Sequence, residues 1–148
     1  MALLNALPDT DTMLHGDFHT GNVFLQRGEA LLIDMDRLAT GHPILELSDL
    51  YYFYVLLGED VPGVVERFMG FSYDTAKALF RCFLKSYLET EDEERLNEIS
   101  KKASLIGYSR LIRKIRKQRK PSEADNRLVQ RCLERISELS EKLDTLAF

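Results

Sequence analysis

Asp17, Asn22 and Asp34 are the residues of this 148-residue chain whose types and spacing best suit them to chemistry. They lie in one short stretch, His15-Gly16-Asp17-Phe18-His19-Thr20-Gly21-Asn22-Val23-Phe24-Leu25, continued by Leu31-Leu32-Ile33-Asp34-Met35-Asp36. Gly16 precedes Asp17 and Gly21 precedes Asn22, so the backbone is free to turn or crowd beside each polar group. Val23-Phe24-Leu25 and Ala30-Leu31-Leu32-Ile33 are short apolar runs separated by Arg27-Gly28-Glu29, which predicts a hairpin with Gly28 in its turn. A hairpin brings the residues that flank its two strands together. Asn22, just before the first strand, and Asp34, at the end of the second, are therefore expected to be neighbours. An amide oxygen beside a carboxylate is a hard-oxygen site suited to Mg2+, completed by waters and substrate phosphates. Asp17 then stands nearby without being needed as a ligand, free to accept a proton.

That division of labour is the one phosphoryl transfer in kinases uses: one Asp takes the proton of the acceptor hydroxyl, while an Asn and a second Asp hold metal on the phosphates. The protein-kinase pattern H-R-D-L-x-x-x-N, followed by D-F-G, separates its Asp and Asn by five positions, as Asp17 and Asn22 are separated here. A rival chemistry starts from the alternation of His15, Asp17 and His19, which would offer Zn2+ two imidazoles and a carboxylate, as in a metal-dependent hydrolase. It leaves Asn22 and the Ile-Asp-x-Asp strand end unexplained. Taken alone, His19 reads as a residue that packs the loop.

The stretch resembles the aminoglycoside phosphotransferase and choline kinase group of small-molecule kinases. Their motif runs His-Gly-Asp-Leu-His-Pro-Gly-Asn-Val-Leu, then Ile-Asp-Phe or Ile-Asp-Trp with an acid next; here Phe18 replaces Leu and Thr20 replaces Pro. A looser likeness continues through Gly41-His42-Pro43-Ile44-Leu45-Glu46-Leu47-Ser48. The resemblance implies Asp17 as catalytic base, Asn22 and Asp34 as Mg2+ ligands, and His15 as a brace of the loop. It implies Asp36 at a second metal or at the acceptor. Glu46 stands where the family has an Asp that steadies the loop from a buried helix; its side chain is longer, and Asp49, one turn on, is the alternative brace. His42 replaces an acid. ATP as phosphoryl donor, Mg2+ as cofactor and a small-molecule hydroxyl as acceptor are implied with them.

The elements that must position this cluster read as helical. Ala2 to Leu7 looks like a helix end, broken by the turn formers from Pro8 to Thr12. Ala39 to Pro43 reads as a loop. Leu47 to Leu57 is apolar on every side in its later part, as a buried central helix would be. Gly58 to Gly63 reads as a loop and Val64 to Met69 as a short helix. A helix over Asp74 to Glu89 is expected with Ser72 or Asp74 at its cap. A long helix from about Asp92 to Lys120 is ended by Pro121. Ser122 opens a last helix, with Leu128, Cys132, Ile136, Leu139, Leu143 and Leu146 at steps of three and four. The expected fold class is α+β and mostly helical, a protein-kinase-like C-terminal lobe in which a short β-hairpin carries the catalytic loop.

Composition bounds the rest. The chain is globular in its apolar and charged fractions, and its net charge of −4 gives no general attraction to nucleic acid or to an anionic membrane. No run is long enough to span a bilayer and no basic start precedes an apolar run, so a cytoplasmic protein is expected. Cys82 and Cys132 read as two reduced core thiols. The acidic run from Glu89 to Glu94 and the basic run from Arg110 to Lys120 read as helix ends favoured by the dipole; for the basic run the alternative is an anionic partner or acceptor. Tyr51 to Tyr54 read as core. A kinase of this kind also needs an N-terminal lobe with a Gly-rich loop and a strand lysine over the ATP phosphates. Residues 1–148 are therefore expected to be the C-terminal lobe, with the missing nucleotide lobe as a partner, weak in ATP binding and poor in turnover alone. A non-catalytic binding module derived from such a lobe is the rival reading.

Overall fold

A computed structural model describes residues 2–148, apart from the Asp60 side chain. The chain is α+β and mostly helical. After α1 (Ala2–Asn5), β1 (Met13–Leu14) pairs antiparallel with β4 (Ala39–Thr40), in the register Met13↔Thr40 and Leu14↔Ala39. Gly41 N–H donates to the Thr12 carbonyl at 3.0 Å and extends this short ladder. The segment between β1 and β4 is thus an excursion tied at its base, and it contains the whole His15–Asp36 stretch. Within it, β2 (Val23–Gln26) and β3 (Glu29–Leu32) form the expected hairpin. Its turn residues Arg27 and Gly28 both have positive φ, at 53° and 85°. A two-residue turn of this hand matches the natural twist of the strands.

The central helix begins earlier and ends later than its sequence suggests. α2 (Ile44–Tyr51) runs through a π-helical turn (Tyr52–Leu56) into α3 (Leu57–Asp60). Pro43 has helical φ and its missing N–H is no loss at a helix start, which explains the early beginning. Residues 58–60, expected in a loop, remain helical, and Val61 closes the turn by donating its N–H to the Leu57 carbonyl. α4 (Val64–Met69) and α5 (Tyr73–Leu88) follow; the Ser72 hydroxyl caps α5 by accepting from Thr75 N–H at 3.2 Å. α6 (Glu93–Arg116) is capped by Asp92, which accepts from Glu94 and Arg95. α6 stops at Arg116 rather than at Lys120, because the run from Lys117 to Lys120 adds like charges with no acid among them and no apolar face to bury. α7 (Glu123–Ser140) opens with a reciprocal box between Ser122 and Asp125.

Two apolar clusters meet along α2, the π-helical turn and α6. The first gathers Ile44, Leu47, Leu50, Leu84, Leu96, Ile99 and Ile106, and the second gathers Leu56, Leu111, Ile112, Ile115, Leu128 and Cys132. The expected central helix is therefore the buried one, facing both. α7 ends at Ser140, so Leu143 and Leu146 are not on it; Leu146 instead folds back and is fully buried in the first cluster. The tail is held there by Lys102, a buried lysine whose Nζ donates to the Ala147 carbonyl at 2.7 Å and pairs with Glu98 at 2.6 Å. His42 takes a structural part as well. Its Nδ1 accepts from Ile44 N–H at 3.2 Å, and its ring meets Phe148 edge-on. Only one cysteine lies in the core: Cys132 is buried, whereas Cys82 is exposed on α5.

Candidate functional site

The loop ahead of the hairpin is pinned at almost every residue. The His15 Nε2 bonds the Ile33 carbonyl at 2.9 Å, tying the loop to the far strand end. Gly16 has φ of +76°, which suits glycine, and a Cβ there would stand 2.5 Å from the Arg37 carbonyl oxygen. Its N–H donates to Glu46 Oε2 at 3.0 Å. The longer Glu46 side chain thus reaches the loop from α2, and Asp49 does not share the task. Asp49 is buried and pairs with Arg110, which also donates to the Leu45 carbonyl at 3.4 Å. Thr20 N–H donates to the Tyr54 hydroxyl at 2.8 Å. His19 accepts from Gly21 N–H at 3.1 Å, and its ring meets Phe53 and Phe68 edge-on.

Asn22 is the junction of the candidate site. It is 7% exposed, and its side-chain Nδ2 donates to the Asp17 carbonyl at 3.0 Å. Its own carbonyl accepts from Ile33 N–H at 3.0 Å, one residue before Asp34. A hydrogen-bonded chain therefore runs from Asp17 through Asn22 to the backbone beside Asp34. Asp34 has φ of +61°, a left-handed conformation that Asp tolerates better than most residues, and the chain turns sharply there out of β3. Asp34 and Asp36 are exposed; the Asp17 side chain is partly so, with Arg37 Nη1 at 4.0 Å from its Oδ2.

Among the described residues, no three His, Cys, Asp or Glu side chains converge as a metal cage. His15, Asp17 and His19 form no such group, so the His-Asp-His zinc reading lacks the convergence it needs. An Asn–Asp pair is a different kind of site. With its nitrogen end committed to Asp17, the Asn22 amide has its oxygen end for a cation, and Asp34 is an exposed carboxylate one residue from the Asn22 backbone. Two hard oxygens with room for water suit Mg2+, which keeps several waters and shares phosphate oxygens.

Asp17 also lines a cavity of about 460 Å3, together with Arg37, Asp49, Tyr52, Phe53 and basic residues of α6. Burial pushes the Asp49 carboxyl up to about 6, further helped by the nearby Glu46 and Asp17 charges and opposed by Arg110. A larger and mostly apolar cavity between α1, α6 and α7 has no carboxylate in its lining. Tyr54, Arg37 and Arg110 are the contributors that the motif does not contain. Tyr54 lies within an aromatic run that reads as core, and Arg110 within a basic run that reads as a helix end. Only the cation directly after Asp36 offers a local hint of Arg37.

A hairpin-borne loop with an Asp and an Asn five apart, followed by a second Asp after β3, is thus joined into one hydrogen-bonded unit through Asn22. The profile of the phosphotransferase enzyme family matches residues 1–80, and the chain belongs to that family. Comparison with curated proteins and with solved structures returns no significant match. The matched residues hold the loop, the hairpin and the central helix; α6 and α7 lie beyond them. Among the described residues, no helix is long and apolar enough to cross a membrane.

Proposed function

We infer that the chain carries the catalytic centre of an ATP-dependent kinase that phosphorylates a hydroxyl of a small molecule. The observation that supports this most is the bond from Asn22 Nδ2 to the Asp17 carbonyl, which holds a candidate base and a candidate metal ligand at a fixed separation. Asp17 accepts the proton of the acceptor hydroxyl as its oxygen bonds to the γ-phosphorus. The bond from that phosphorus to the β,γ-bridging oxygen breaks, and ADP leaves. Asn22 and Asp34 would hold Mg2+, which when bound neutralises charge on the phosphates. Glu46 and His15 act by position, holding Gly16 and Ile33 so that Asp17 and Asp34 keep their places. Asp36, one residue beyond the turn, remains a candidate for a second metal or for the acceptor.

The hairpin favours a covering partner. Phe24, Leu25, Leu31, Leu32 and Ile33 are all exposed large apolar residues. A nucleotide-binding lobe packed on this ribbon would bury them, and an exposed apolar patch commonly marks such an interface. Phosphoryl transfer from Mg·ATP to a panel of hydroxyl compounds by the full-length protein tests the reading. Asp17→Asn is expected to lower the rate by roughly 10^2- to 10^4-fold, the usual contribution of a general base, with the fold intact by circular dichroism. Transfer unaffected by that substitution would remove Asp17 from the role of base, and transfer absent with every acceptor would favour the non-catalytic binding module instead.

A further inference from the structure

The cavity beside Asp17 carries an excess of positive charge. Arg37, Arg110, Arg113, Lys114 and Lys117 line it against two acids, Asp17 and Asp49, so five cations face two anions in a chain whose net charge is −4. Arg110 is neutralised by Asp49, and Arg37 stands at the limit of contact with Asp17. Among the described residues, Arg113, Lys114 and Lys117 have no carboxylate within 4.0 Å. Lys114 lies over the Tyr52 ring, 5.5 Å from its centre.

The helix dipole accounts for cations in the last turn of α6 but not for their alignment. Arg110, Arg113, Lys114 and Lys117 follow the i, i+3, i+4, i+7 spacing that places side chains on one helix face. Like charges so placed repel one another unless an anion offsets them. A second observation comes from the residue beneath Lys114. Tyr52 lines the same cavity, is 6% exposed, and its hydroxyl is buried with no hydrogen-bond partner. A buried hydroxyl left unsatisfied in this way is costly.

The cavity lies on one side of Asp17. Asn22 and Asp34 do not line it, so it is separate from the pair assigned to the metal and the nucleotide phosphates. Apart from Arg37, its cations come from α6 and the Lys117 that follows it, beyond the residues that the family matches.

We propose that this cavity is the acceptor site and that the acceptor is a small hydroxylated anion, carrying a phosphate or carboxylate group held by Arg113, Lys114 and Lys117. The proposal rests on the phosphotransfer reading for its placement of the hydroxyl at Asp17. The anion is bound at the far end from the reacting oxygen. A volume of about 460 Å3 is ample for a compound of this size.

The test uses four compounds of one skeleton: glycerol 3-phosphate and glycerate as anions, glycerol as the neutral form, and 3-amino-1,2-propanediol as the cation. Each is titrated into the full chain at low salt, with backbone amide shifts as the readout. The anions are expected to shift Asp17, Tyr52 and the last turns of α6, to bind at least tenfold more tightly than glycerol, and to weaken as salt is added. The Arg113→Gln/Lys117→Gln double variant, which alters two exposed side chains, is expected to lose roughly tenfold in anion affinity, the sum of two solvent-screened ion pairs. Equal or tighter binding of glycerol or of the amine would overturn the proposal. So would anion shifts confined to Asn22 and Asp34, or affinity unchanged in the double variant. Transfer from Mg·ATP to the same four compounds by the full-length protein separates the two readings. Transfer to the amine or to glycerol, with the anions inert, overturns the anionic acceptor and keeps the phosphotransfer reading. Anion binding on α6 with no transfer to any hydroxyl compound ends the phosphotransfer reading, and the acceptor role with it.

Discussion

Gly16→Ala is the substitution whose consequence follows most directly from the geometry of the loop. Two costs combine there. At φ of +76° an alanine pays the left-handed penalty, roughly 1–2 kcal/mol. Its Cβ would also stand 2.5 Å from the Arg37 carbonyl oxygen and 2.9 Å from the Arg37 Cβ. The nearest of these atoms is backbone and cannot swing aside as the end of a side chain would, so the loop must move. Overpacking of this kind costs typically about 1–3 kcal/mol. Gly28→Ala is the internal control, because Gly28 has a similar φ of +85° but nothing within 4 Å of the added methyl. Both variants pay for φ, and both gain the same small amount from a stiffer unfolded chain. Their difference isolates the contact with Arg37. Urea denaturation should place Gly16→Ala below Gly28→Ala by about 1–3 kcal/mol. Amide exchange should show Gly16 N–H losing protection as its 3.0 Å bond to Glu46 breaks. Equal stability of the two variants, with Gly16 still protected, would refute the close approach of the loop to Arg37.

Asp49 titrates at about 6 in the folded chain against an ordinary 3.8, so the folded state binds a proton that the unfolded state releases between these values. Its contribution to stability is whole below about pH 3.8 and is lost as pH rises through 6, a swing of roughly 3 kcal/mol read as the difference between wild type and Asp49→Asn across that window; a flat difference would contradict the burial of this carboxyl. Tyr54→Phe removes the hydroxyl that accepts from Thr20 N–H and should cost about 1 kcal/mol by denaturation, with faster exchange at Thr20 alone among the loop amides. Ser122→Ala breaks the box at the start of α7 and should cost roughly 0.5–2 kcal/mol, seen as a lower Tm, because α7 brings Leu128 and Cys132 to the second cluster.

The site was legible in the sequence to the extent that its contacts are local. The hairpin follows from Arg27-Gly28 between apolar runs, and the pairing of Asn22 with Ile33 follows from the hairpin. The bonds that hold the loop against the helices were less so, since they join residues 30, 34 and 61 positions apart: Gly16 with Glu46, Thr20 with Tyr54, and Arg110 with Asp49. No local pattern announces such partners. Tyr54 is a core residue by every periodicity and also a hydrogen-bond acceptor, because the π-helical turn alters the facing of the aromatic run in which it lies. The helix ends show the same limit. Gly58 and Pro62 look like breakers, yet the helix persists to Asp60, and Leu146 continues a helical spacing while lying in a tail folded into the other cluster. In both cases tertiary packing outweighs local preference.

Asn22 and Asp34 as a metal-holding pair are open to direct measurement. Mn2+, which substitutes for Mg2+ at hard-oxygen sites and broadens nearby amide signals, should be added to the chain with ATP. The broadening is predicted to centre on Asn22, Ile33 and Asp34, and to be lost in Asp34→Asn, whose exposed position leaves the fold intact. Broadening centred elsewhere, or undiminished in that variant, would contradict it.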